Sequence, residues 1–216
     1  MLKTLHNAMN INLFKFSLYS HLKNLKALII YPSWYLKRKS KKFPDNHLYK
    51  MSRIRDFKNK YNFESFIETG TFYGQTTRFA SKIFKNVVSI EIYEPLFLLN
   101  KELFRKYLNV EILFGDSKHK LEDAIKITNG STLFWLDGHY SGNGTGIGDA
   151  ICPILQEIET IKKYCDRSFT IIVDDKRLFN GKDSYPKIDE FKSFIEFTFP
   201  NSHFFFDKDA IIIEQD

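Results

Sequence analysis

Seven short apolar runs separated by helix-length segments constrain this chain more than any other feature. The runs are Ser65–Thr69, Val87–Ile92, Val110–Phe114, Thr132–Asp137, Thr170–Asp174, His203–Phe206 and Ala210–Ile213. The first five are largely apolar on both faces, as strands inside a parallel sheet must be. Helices are predicted between them over Gln75–Phe84, Glu94–Tyr107, Lys118–Thr128, Ala150–Tyr164 and Ile188–Phe197, the last stopped by Pro200. Ile151, Leu155, Ile158 and Ile161 give the fourth of these an apolar stripe. The final two runs are separated only by Asp207–Asp209, a hairpin connection, so they pair antiparallel. The expected fold is α/β: a Rossmann-like, seven-stranded, mostly parallel sheet with helices on both faces and a C-terminal antiparallel hairpin. Ligands of such sheets bind beyond the carboxyl ends of the strands, where strand order reverses.

Charge divides the 216 residues in two. Residues 1–60 hold 14 Lys/Arg against Asp45 and Asp56, whereas 61–216 hold 18 against 24 Asp/Glu. The division suggests a basic, mostly helical extension over 1–60 and an acidic catalytic domain over 61–216. Ile11, Phe14, Leu18, Leu22, Leu25 and Ile29 share one helical face, and Trp34-Tyr35 precede a basic cluster at 37–42. This pattern suits contact with an anionic membrane surface through 11–42. Packing on the domain and formation of a homodimer are the alternatives. Nucleic acid is not expected as a partner, because the acidic remainder repels phosphate. The start lacks the long apolar core and small-residue cleavage site of a signal peptide. The longest uncharged runs, Thr4–Phe14 and Ala27–Leu36, fall short of the roughly 20 residues of a membrane span. Cys152 and Cys165, thirteen apart in one expected helix, lie too far apart for a disulfide. A cytoplasmic location is expected, peripheral at the inner membrane face if the extension binds lipid.

The unusual residues fall at strand ends. The first strand runs into Glu68-Thr69-Gly70-Thr71-Phe72-Tyr73-Gly74, a turn whose glycines permit close backbone approach. No Gly-Lys-Ser/Thr follows, so it is not a P-loop, and it is not the dinucleotide fingerprint. The acid before the turn disfavours a pyrophosphate and suits a cationic or hydroxylated ligand. The second strand ends at Glu91, a carboxylate placed to accept hydrogen bonds from ribose hydroxyls. The third ends in Gly115-Asp116-Ser117, where the acid can accept from an adenine amino group or cap the next helix.

This order, Glu68-x-Gly70-x-x-x-Gly74, then Glu91, then Gly115-Asp116, with seven strands closing in a hairpin, resembles a class I S-adenosyl-L-methionine-dependent methyltransferase over about residues 60–216. The resemblance implies that Glu68, Gly70 and Gly74 border the methionine part of that cofactor, Glu91 holds its ribose, and Asp116 with Ser117 faces its adenine. Thr71 and Phe72 depart from the family's alternating glycines.

The fourth strand ends Asp137-Gly138-His139-Tyr140, followed by a glycine-rich stretch at 142–148 with the composition of a mobile lid. The fifth ends Asp174-Asp175-Lys176-Arg177. Asp137, Asp174 and Asp175 are expected to converge, and three clustered carboxylates demand a proton or a cation. The set is similar to that of the macrocin O-methyltransferase branch, which implies Mg²⁺ on Asp137, Asp174 and Asp175 and a sugar or other polyhydroxylated small-molecule acceptor. Lys176 or Arg177 pairing with the two aspartates is the alternative. The expected chemistry is methyl transfer to a substrate hydroxyl, with His139 or Asp137 as base and with Arg177 and Tyr140 toward the substrate. A metal-dependent glycosyltransferase and a non-catalytic membrane-associated scaffold are the rival readings.

Overall fold

A computed structural model describes residues 45–138 and 152–215, together with Leu25. The glycine-rich stretch, His139, Tyr140 and the membrane-contact reading of 11–42 lie outside the described residues. Element order is α1 (His47–Tyr61), β1 (Ser65–Thr69), α2 (Gln75–Ala80), β2 (Asn86–Glu91), α3 (Glu94–Leu103), β3 (Val110–Phe114) and α4 (Ser117–Ile127). It continues with β4 (Thr132–Leu136), α5 (Ile154–Tyr164), β5 (Phe169–Val173), α6 (Ile188–Thr198), β6 (Ser202–Asp207) and β7 (Ala210–Gln215). One 3-10 turn, Lys176–Leu178, follows β5.

The strands form one sheet in the order β3-β2-β1-β4-β5-β7-β6. Six strands run the same way, and β7 alone inserts antiparallel, between β5 and β6. The expected architecture is therefore observed, with its order reversing between β1 and β4. The parallel register sets Thr69 beside both Ile90 and Leu136, Glu91 beside Phe114, and Leu136 beside Val173. Strands β2, β4 and β5 thus deliver Glu91, Asp137 and Asp174 to the same edge of the sheet.

Alternation along the strands feeds two cores. Ile67, Phe134, Leu136, Ile171 and Ile213 pack with Leu121, Ile158, Phe191 and Ile195 of α4, α5 and α6. Phe66, Leu133, Trp135, Ile172 and Ile212 face Met51, Ile54 and Ala80 of α1 and α2. In contrast to the expectation for β3, this strand is only partly buried, since it is an edge strand with Glu111 and Phe114 exposed. The buried face of α5 is Ile154, Glu157, Ile158 and Ile161; Ile158 and Ile161 are as expected, Leu155 packs partly buried beside them, and Ile151 lies outside the described residues. Cys152 precedes α5 and Cys165 caps its end, and both are buried free thiols. Among the described residues no helix is long and apolar enough to cross a membrane.

An ion cluster fastens helix α1 to the end of β6. Arg53, almost fully buried, donates from Nε to Asp207 Oδ2 at 2.7 Å and from Nη2 to the Asp207 carbonyl, and pairs with Asp45. Tyr49 donates its hydroxyl to the other Asp207 oxygen at 2.7 Å. Removing one member of a buried ion cluster leaves carboxylates desolvated without compensation. Arg53→Met is expected to cost about 3 kcal/mol, read by urea denaturation; a loss below about 1 kcal/mol would show that the cluster does not anchor the helix.

Candidate functional site

The β1–α2 turn is built around internal contacts. Gly70 has φ +83°, and a Cβ there would stand 2.7 Å from the Asp137 carbonyl oxygen. Gly74 has φ +66°, and a Cβ there would meet Asn100 Oδ1 at 2.4 Å. Both glycines are required by the chain's own packing, the first by the close approach of β1 and β4 where strand order reverses. Asn100 Nδ2 donates to the Phe72 carbonyl at 2.6 Å and holds the turn from α3.

Glu68 points inward. It is 2% exposed and accepts hydrogen bonds from Thr77 Oγ1 at 2.5 Å and Ser89 Oγ at 2.7 Å. Its carboxylate thus ties α2 and β2 together. Glu91 is buried at the end of β2, its Oε2 accepting from the Phe72 N–H at 2.7 Å and its Oε1 from the Tyr93 N–H at 2.9 Å. Burial raises its pKa, with these backbone donors acting the other way. A carboxylate oxygen accepts more than one hydrogen bond, so both retain capacity for a vicinal diol. Asp116 caps α4, accepting from the Lys118 N–H at 3.0 Å. Ser117 is buried, and its hydroxyl hydrogen-bonds the Glu157 carboxyl.

At the ends of β4 and β5 the Asp174 N–H bonds the Leu136 carbonyl at 3.0 Å, setting Asp137 and Asp174 side by side. The cation among these acids comes from α1. Lys50 Nζ pairs with Asp174 Oδ2 and lies 3.8 Å from Asp175. Burial by itself would lower the Lys50 pKa, but Asp174, Asp137 and Asp175 together hold it above the ordinary lysine range. Asp174 is shifted upward, first by burial, then by Asp137 and Asp175, against the pull of Lys50. Asp175 also accepts from Arg177 at 2.5 Å, and Arg177 pairs with Asp209. The alternative pairing of Asp175 with Arg177 is therefore present, and the guanidinium expected to anchor substrate is already engaged by two carboxylates.

These residues do not fit the expected Mg²⁺. Asp174 directs one oxygen at an ammonium, and no group of three His, Cys, Asp or Glu among the described residues is arranged to hold a metal ion. A hard dication bound through Asp174 would have to compete with that ammonium.

Lys50 and Glu157 were missed at the sequence level. Lys50 lay inside a basic segment with nothing to distinguish it. Glu157 carried a signal, a carboxylate on the apolar face of α5. It is 1% exposed, and burial raises its pKa to about 7, with the Ser117 and Thr69 hydroxyls pulling down and Asp116 and Asp137 pushing up.

No family model and no curated protein matches the chain. Solved structures do. A Staphylococcus aureus protein provisionally assigned as a caffeoyl-CoA O-methyltransferase is 12% identical with TM-score 0.56, covering 93% of this chain and 98% of its own. The S-adenosylhomocysteine-bound methyltransferase PaMTH1 of Podospora anserina is 16% identical with TM-score 0.55, covering 88% of both chains. The O-methyltransferase TomG of Streptomyces achromogenes, solved with S-adenosylmethionine, is 12% identical with TM-score 0.54, covering 77% of this chain and 80% of its own. At these identities the likeness shows the fold, which is the Rossmann-like methyltransferase fold.

Burial raises the Glu68 pKa to about 8 from the ordinary 4.5, against the hydroxyl hydrogen bonds that lower it. Because the folded value lies above the unfolded one, folding takes up a proton between them. This contribution to stability is fully present below about pH 4.5 and lost as pH rises through about 8. Glu68→Gln is expected to flatten the fall in stability over that window, measured by denaturation at stepped pH. An unchanged slope would mean that Glu68 is ionised in the fold.

Proposed function

We propose that the chain is an S-adenosylmethionine-dependent methyltransferase that methylates a hydroxyl of a sugar or other polyhydroxylated acceptor. The observation that carries this reading is Glu91, a buried carboxylate at the carboxyl end of β2, held by two backbone N–H groups one strand away from the point where strand order reverses. Support comes from the methyltransferase fold and from neighbours named as O-methyltransferases or solved with S-adenosylmethionine or S-adenosylhomocysteine.

In this reading the bound cofactor supplies an electrophilic methyl group on sulfur. Glu91 holds the ribose diol, Gly70 and Gly74 shape the turn beside the methionine part, and Asp116 with Ser117 borders the adenine. The acceptor hydroxyl enters at the β4 end with Tyr140 toward it, and its proton passes to His139 or Asp137 as the oxygen attacks. Holding the two reactants in line is the main contribution asked of the protein. Lys50 supplies the positive charge among the strand-end aspartates, so no step passes through Mg²⁺.

Calorimetry with S-adenosylhomocysteine is the direct test. Binding is expected for the unsubstituted protein, with a loss of at least about tenfold in Glu91→Ala; unchanged affinity in that variant would remove the carboxylate from the cofactor site. His139→Ala is expected to retain cofactor affinity and lose turnover, whereas an undiminished rate would assign the proton to Asp137. Turnover is expected to persist in excess EDTA. Loss on chelation with recovery in Mg²⁺ would return the metal to the mechanism.

A further inference from the structure

Behind the ends of β4 and β5 lies a small cavity whose lining includes Asp137, Gly138, Cys152, Glu157, Asp174 and Tyr185. It has room for about one water-sized group. Two of its acids are buried with an oxygen left unused. Glu157 is 1% exposed and Asp174 3% exposed, and among the described residues neither Glu157 Oε1 nor Asp174 Oδ1 has a hydrogen-bond partner. Glu157 Oε1 would stand 3.2 Å from a Cβ placed on Gly138, so it lies directly against the end of β4.

Such oxygens are costly to bury, and buried polar groups are ordinarily paired. The charges acting on Glu157 are those of Asp116 and Asp137, both negative. Lys50 engages Asp174 through Oδ2 and leaves Oδ1 open. The group that meets these two oxygens must donate hydrogen bonds, and positive charge strengthens its hold among these acids. A neutral hydroxyl offers a single donor and no compensating charge. A primary ammonium offers three donors, brings the charge, and is about as large as the space allows.

We propose that this cavity is a subsite for an aliphatic ammonium group, held between Glu157 and Asp174, and that the methyl acceptor carries such a group. The proposal rests on the methyltransferase reading for the word acceptor, while the subsite itself does not. An amine-bearing polyhydroxylated compound satisfies both: its ammonium docks in the cavity while a hydroxyl faces the cofactor's methyl.

The test uses ethanolamine and its neutral counterpart ethylene glycol as probes. Saturation-transfer NMR is run on the full chain, first alone and then saturated with S-adenosylhomocysteine. Ethanolamine is expected to bind in both states and ethylene glycol in neither. Glu157→Gln is expected to weaken ethanolamine by at least about tenfold, and Asp174→Asn to weaken it likewise. The contrast between the probes is read on unsubstituted protein, so the test does not depend on either variant folding. Equal signals from the two probes, or undiminished ethanolamine binding in a folded Glu157→Gln protein, would overturn the subsite. Displacement of ethanolamine by S-adenosylhomocysteine would also overturn it, by giving the cavity to the cofactor's own ammonium. Failure of S-adenosylhomocysteine to bind would defeat the methyltransferase reading separately, and the probe contrast on the chain alone would still decide the subsite.

Discussion

The ammonium of Lys50, set against the buried carboxylate of Asp174, is the interaction on which the arrangement of the strand ends depends. A parallel sheet delivers all its carboxyl ends to one edge, and here those ends carry Glu91, Asp137, Asp174 and Asp175. Desolvation penalises each of these charges, and their mutual repulsion adds to the penalty. The Lys50 ammonium on Asp174 and the Arg177 guanidinium on Asp175 together offset much of that cost. The position of Lys50 is set at a distance. Arg53, one helical turn further along α1, fixes that helix to the β6–β7 turn through Asp207 and thereby delivers Lys50 to the end of β5.

The basic segment preceding the sheet therefore contributes to the site. Helix α1 packs Met51 and Ile54 into the core and supplies a charge that the acidic strands lack. The charge asymmetry of the sequence and the electrostatics of the site are two views of the same fact, at least for residues 47–61. Glu68 and Glu157 solve the desolvation problem differently. Each is raised toward neutrality by burial, Glu68 to about 8 and Glu157 to about 7. Glu68 has hydroxyl partners and closes the structure, whereas Glu157 keeps one oxygen open beneath Gly138.

Much of the architecture was legible because it rests on local patterns. Apolar runs of the right length gave Ser65–Thr69 and Val110–Phe114 to the residue, and the three-residue spacing before Ala210 gave the hairpin. The acids at strand ends were legible because a parallel sheet makes strand position equivalent to site position. Contacts between segments distant in sequence were not legible. Lys50 meets Asp174 across 124 residues and Arg53 meets Asp207 across 154, and no periodicity encodes such pairings. Glu157 was missed for another reason: the predicted stripe on α5 counted apolar residues alone, and the carboxylate shares the buried face with Ile158 and Ile161. Glu68 was read toward ligand from its place before the turn, but strand alternation turns it into the hydroxyls of Thr77 and Ser89.

Lys50 balances the strand-end carboxylates Asp174 and Asp175. A crystal structure grown with both S-adenosylhomocysteine and Mg²⁺ tests it most directly. The account predicts the nucleoside with its ribose on Glu91 and the Lys50 ammonium between Asp174 and Asp175. Density for a metal ion bound by Asp137, Asp174 and Asp175, with Lys50 displaced, would contradict it.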